Sequence, residues 1–323
     1  MNGDKQKEES TRGTVGGQAV IEGVMMKSKE YIAIAVRKEN GEIVKKLKPF
    51  KTVRDKYKIL NIPVLRGFVN FIEMMAMSMT TLNESAEMLG LDEEPEKKSS
   101  SKGMITAASV IGIVLGLVLS FGLFFFLPTF IGNKITGITP FEKGGWFISL
   151  TEGITRLAIF IAYILLVTLM PDIKRTFQYH GAEHMSVFCY EANRELTVEN
   201  VKEYSRFHPR CGTSFLIVMM IIGIMISMII PDFTKSGFSE TAAFWLRLCV
   251  KLSVFPVIIG TGFEFIRYAG RHDSAIVKIL SAPGLWIQRL TTKKPDDKQI
   301  EVAVVSLRTA LKIDPAETVN DAL

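Results

Sequence analysis

"MITAASVIGIVLGLVLSFGLFFFLPTFI", residues 104–131, contains no charged side chain. A helix needs about 20 apolar residues to cross a bilayer, so this run is long enough to span one. Three more runs follow. Residues 146–170 are apolar apart from Glu152 and Arg156 near the start, and 214–231 is charge-free but close to the lower length limit. Residues 242–262 carry Arg247 and Lys251 and are otherwise apolar. The pattern predicts a predominantly α, four-helix integral membrane protein. Glu152 and Arg156 stand four apart and are expected to pair along one helix. Arg247 and Lys251 are expected either to snorkel or to pair with Glu264.

The net charge of +6 invites a nucleic-acid reading, but its placement opposes one. Of the 39 Lys and Arg residues, 18 precede the first apolar run, six lie between Pro171 and Thr213, and nine follow Gly262. The two other connections hold only Lys134, Lys143 and Lys235. Positive charge stays on the side from which helices insert. The expectation is therefore a multi-pass protein of the cell inner or plasma membrane, with both termini and the middle loop cytoplasmic. No secretory leader and no nucleic-acid partner are expected, and the bilayer itself is the first partner. The three cysteines, at 189, 211 and 249, form no C-x-x-C and imply no disulfide framework.

Around the spans the chain divides into further regions. Residues 1–13 read as a disordered tail. Residues 14–91 read as an N-terminal cytoplasmic region. It begins with "TVGGQAVIEGVMM", a glycine-punctuated apolar stretch holding one acid, Glu22. A β-hairpin is predicted over 31–48 around Asn40-Gly41, and a helix over 63–90. That helix places Leu65, Phe68, Val69, Ile72, Met75, Met79 and Leu82 at helical spacing, for packing on the domain or lying at the membrane surface. A charged linker covers 92–103. Pro171-Asp172 marks a break or a fresh helix start in the middle loop, 171–213. In the C-terminal cytoplasmic region, 263–323, Asp296 and Asp297 can cap a helix with Ile300, Val304, Leu307 and Leu311 on one face.

The chemistry-bearing segment is "QYHGAEHMSVFCY", residues 178–190. On a helix, residues four apart share a face, so His180 and His184 can aim at one ion. Glu183 lies beside that face, giving the H-x-x-E-H order of certain zinc hydrolases. Such an ion lowers the pKa of a water it holds towards about 7, and a carboxylate in reach can take the proton. His208 and Cys211, on the same loop, can supply a third ligand, or the third and fourth of a closed site. Zinc is the expected ion, and other transition metals also suit these donors. The competing reading leaves His180 and His184 satisfied by backbone carbonyls or by Glu183. Glu22 is a further possible ligand, although a structural hydrogen-bond acceptor fits it equally well.

Several long motifs in order carry a resemblance. "GGQAVIEGVMMK", "NIPVLRGFVNFIEMM", "YHGAEHMSVFCYE", "RFHPRCGTSF", "FEFIRYAGRHD" and "APGLWIQRLTTKKPDDKQIEVAV" together resemble the YqhQ-like bacterial membrane proteins, over about Gly16 to Val304. That family is a domain of unknown function, described as predicted metal-dependent enzymes. The resemblance implies a site at His180, Glu183, His184, His208 and Cys211, with Glu22 and Arg271 as additions. The function expected is a zinc-dependent membrane hydrolase acting on a membrane-associated substrate or membrane protein, with Glu183 as general base. The alternative is a non-enzymatic scaffold or regulatory factor whose His/Cys site only staples the loop. A transporter ranks below both, because the first span offers no polar lining. Oligomeric state is open.

Overall fold

The computed structural model describes residues 13–91, 102–138, 145–230, 237, 239–270, 272 and 274–314. Most of the expected N-terminal tail and of the linker, together with Arg271 and the side chain of Arg247, lies outside the described residues.

The chain opens with four strands, β1 (Gly16–Val20), β2 (Gly23–Lys27), β3 (Tyr31–Arg37) and β4 (Ile43–Pro49). They form an antiparallel meander in the order β1-β2-β3-β4. The expected hairpin is its β3–β4 half, so the region is a sheet and not a lone hairpin. The glycine-punctuated stretch supplies the other half. Gly23 is required where a Cβ would collide with the Ala35 carbonyl and Val36. Between β1 and β2 the chain reverses through Glu22 in the left-handed region, at φ 49°.

The helices follow: α1 (Val53–Lys56), α2 (Leu65–Met88), α3 (Lys102–Phe121), α4 (Leu127–Ile138) and α5 (Gly145–Val167), with a π-helical turn at Gly122–Phe126 joining α3 to α4. Then come α6 (Pro171–Glu191), α7 (Val198–Lys202), α8 (Gly212–Ile229), α9 (Glu240–Ala269), α10 (Ala275–Thr291) and α11 (Asp297–Ala310). Pro171 sits in the first turn of α6, where its missing N–H costs nothing. Asp296 and Gln299 cap α11 reciprocally. α10 was not anticipated; Pro283 and Gly284, residue types that usually break helices, both lie inside it.

Among the described residues, four helices are long and apolar enough to cross a membrane, with windows at Val114–Gly132, Trp146–Val167, Gly212–Ile229 and Leu248–Ala269. The last lies on α9, which covers the expected 242–262 and continues through Pro256 to Ala269. The chain divides into two compact units, one drawn from 1–93, 167–218 and 259–323, the other from 94–166 and 219–258. Within the second unit the expected Glu152–Arg156 pair is replaced by longer-range partners. Glu152 meets Lys251 at 3.2 Å, and Arg156 donates to the Phe124 carbonyl at 2.8 Å. Glu264, the partner expected for Lys251, is held instead by Arg66 in the first unit.

In the first unit both sheet faces are covered. Val24, Met26, Ala33, Ala35 and Leu47 pack with α6 and α11 around Tyr179, Ala182, Ile300, Ala303 and Leu307. Val20, Met25, Ile32, Ile34 and Val36 form a smaller cluster with Met77 of α2. The rest of the α2 contact is polar. Gln18 donates to Thr81 at 2.6 Å, the Ile21 amide donates to Ser85, and Lys48 pairs with Glu84.

Candidate functional site

α6 carries His180, Glu183 and His184 on its buried C-terminal half, where it packs between the sheet and the 292–295 segment. Gly181 permits that approach, since a Cβ there would collide with the Lys293 carbonyl. The Lys293 amide in turn donates to the Phe177 carbonyl at 2.8 Å, which ties the segment to α6.

Both imidazoles are oriented by backbone carbonyls. His180 Nδ1 lies 2.9 Å from the Thr291 carbonyl at the end of α10, and His184 Nδ1 lies 2.5 Å from the Arg206 carbonyl. A carbonyl can only accept, so each Nδ1 carries a proton, and each ring, once neutral, turns a lone pair outward on Nε2. Cys211, immediately before α8, brings Sγ to 3.2 Å from His180 Nε2. The ligand atoms of His180, His184 and Cys211 all lie within 4.8 Å of one another. A tetrahedral zinc with Zn–S about 2.3 Å and Zn–N about 2.0–2.1 Å separates sulfur from nitrogen by about 3.5 Å. The Cys211–His180 separation is close to that figure, so the three donors could hold such an ion, and among the described residues they would leave a fourth position open.

Burial opposes charge on Cys211 and His180 alike, but their proximity overrides it. The His180 and His184 rings pull the Cys211 thiol well below its usual range. Cys211 in turn, helped by Glu183, lifts His180 to about 9 against the burial that would lower it. A cation seated among these donors would replace the proton that the pair shares.

Glu183 belongs to the same pocket. Its Oε2 is 3.5 Å from His184 Nε2, and its side chain lies against β1 at Gly17, where a Cβ would meet Glu183 Cγ and the Met25 carbonyl. Burial raises its pKa, and the two histidines only partly offset that. A cleft of ≈ 570 Å³ opens onto His180, Glu183, His184 and Cys211, with Phe50 and Met77 on its wall.

The other expected residues fall elsewhere. His208 is buried beside His184, with ring centroids 5.6 Å apart, but it is turned away from the cluster. Its Nδ1 accepts from the Arg210 amide at 3.2 Å, and its Nε2 faces Glu191 Oε2 at 3.7 Å. The lone pair that would bind an ion is thus already used. Burial lowers the His208 pKa to about 4, and Glu191 only partly counters this. Gln288 fixes the His208 backbone from both sides, each bond 2.7 Å long. Glu22 lies outside the cluster, paired with Arg175 and accepting from the Tyr179 hydroxyl at 3.2 Å. Its role is to anchor the β1–β2 turn to α6. The competing expectation that backbone carbonyls satisfy His180 and His184 holds at Nδ1 of each ring, but the sequence did not say which carbonyls, because a backbone acceptor leaves no mark in residue identity. Gly181 carried the one legible signal, a glycine inside a helix.

Comparison with known proteins gives one consistent result. A family model described as "Protein of unknown function (DUF1385)" matches residues 62–313. The chain belongs to the DUF1385 family. It is also 37% identical over 317 residues, 94% of each chain, to the "Uncharacterized protein YqhQ" of Bacillus subtilis (strain 168). No solved structure matches. The family match covers every residue of the cluster, while β1–β4 precede its first matched position.

Proposed function

We propose that this DUF1385 protein is a zinc-dependent hydrolase embedded in the bacterial plasma membrane, acting on a membrane-associated substrate from the cytoplasmic side. One observation carries the reading: two carbonyl-oriented imidazoles and a thiol converge on a single point, with a carboxylate alongside. His180 and His184 would hold the ion through Nε2 and Cys211 through Sγ. When bound, the ion supplies a Lewis acid that polarises a carbonyl or phosphoryl oxygen and acidifies water. Glu183 takes the proton of the attacking water and returns it to the leaving group. The Thr291 and Arg206 carbonyls keep the two rings in the tautomer that binds. The orientation of His208 supports an open site over a structural staple, which would need a closed four-donor shell.

Two observations support the membrane placement. The Lys and Arg residues cluster in the segments that flank the four apolar helices, and the connections at 133–145 and 232–241 are poor in them. The polar segments also fold together as one unit although pairs of apolar helices separate them in sequence, as they would if each pair crossed and returned.

Metal analysis of the full chain in detergent tests the proposal. The wild type is expected to hold about one zinc per chain, with Glu183→Gln the same and His184→Ala at least tenfold less. Turnover of amide, carboxylic-ester and phosphate-ester probes in mixed micelles should fall about 10²–10⁴-fold in Glu183→Gln. A wild type without transition metal, or His184→Ala with undiminished metal, would end the proposal.

A further inference from the structure

α2 is built inside out. Its face towards the sheet carries Thr81, Glu84 and Ser85 beside Met77, all buried. The apolar stripe of Leu65, Ile72, Met75, Met79 and Leu82 points the other way and is 38–61% exposed. The segment leading into it continues that surface with Val53, Tyr57, Ile59 and Ile62, all exposed. α10 repeats the arrangement. Its inner face presents Ser281, Gln288 and Thr291 beside the apolar Val277 and Ile287, while Ile279, Leu280 and Trp286 are 53–71% exposed. Two helices of one folded unit thus bury polar side chains among a few apolar ones and turn most of their large apolar side chains outward.

Both helices sit where apolar helices enter that unit. Gly67 of α2 lies against Gly260 and Phe263 of α9, and Phe71 meets Phe215 of α8 with ring centroids 5.9 Å apart. Gly284 of α10 lies against Ser214 in the first turn of α8. The charge around the stripe is basic: Lys51, Arg54, Lys56 and Lys58 stand against Asp55 alone between Phe50 and Asn61, and Lys278 and Arg289 lie on α10. Apolar stripes flanked by Lys and Arg, with a Tyr and a Trp among the exposed residues, match a bilayer interface with anionic lipid.

We infer that α2, the 53–62 segment before it, and α10 lie in the membrane interface, with their apolar stripes among the lipid headgroups and upper acyl chains. This rests on the membrane reading above and adds a second class of contact to the spans. α10 is then both a lipid-facing helix and a support of the site, because its Thr291 carbonyl holds His180.

Tryptophan quenching by brominated phosphatidylcholine and phosphatidylglycerol nanodiscs tests the inference on the full chain. The chain contains Trp146, Trp245 and Trp286. With Trp146→Phe and Trp245→Phe, Trp286 emission should fall about twofold against unbrominated lipid. Met79→Trp in a background lacking all three native tryptophans should respond similarly. Phe255→Trp in that background reports the α9 span itself. If Phe255→Trp is quenched while Trp286 and Met79→Trp are not, the inference is overturned and the membrane reading stands. If none is quenched, both fall. A Met79→Trp probe shielded from bromine in chains that cross-link as dimers would assign the stripe to a second copy and also overturn the inference.

Discussion

α11 and α2 cover opposite faces of one sheet, and both show an apolar stripe at helical spacing in the sequence. Their fates differ. Ile300, Val304 and Leu307 of α11 are buried against β2 and β3, and Ser306 donates to the Ala33 carbonyl at 3.1 Å. The α2 stripe faces outward, and a polar seam of Gln18, Thr81, Ser85, Lys48 and Glu84 joins the helix to the sheet. Periodicity identifies an apolar face but not what the face meets. Under the membrane placement proposed above, the greasy face of a helix need not be the inner one.

The comparison can be broken or sharpened by mutation, and the largest effect belongs to α11. Leu307→Ala should cost about 2–5 kcal/mol, because the side chain is fully buried. Thermal unfolding in micelles reads this, and a shift no larger than that of a surface substitution would break the contrast. On α2 the ionic seam should matter next. Glu84→Ala leaves Lys48 buried without its partner and should cost about 3 kcal/mol. Adding Lys48→Met should recover part of that loss; if it does not, the pair is not what holds α2 down. The smallest effect is expected at the outward stripe, where Met79→Ala should change micellar stability by less than about 0.5 kcal/mol. A loss comparable to Leu307→Ala would show that the stripe is packed against protein.

Much of the architecture was legible. The four apolar helices, the β3–β4 turn at Asn40-Gly41, the Pro171 start of α6 and the Asp296 cap of α11 each depend on local sequence. β1 and β2 were hidden because buried strands read as unbroken apolar runs, and here glycines interrupt them. α10 holds Pro283 and Gly284 inside it, and Gly284 is needed for the close approach of Ser214.

The candidate site divides along the same line. Its helical half was fixed by spacing alone, since His180, Glu183 and His184 share a face wherever that helix lies. Tertiary structure chose between His208 and Cys211, which stand three residues apart. It brought the Cys211 sulfur to the imidazoles and gave the His208 lone pair to the Arg210 amide. It also supplied the Thr291 and Arg206 carbonyls that orient the rings, the first from more than a hundred residues away. Local sequence sets the directions in which side chains leave a helix. Only long-range packing decides which lone pairs stay free and which apolar faces stay uncovered.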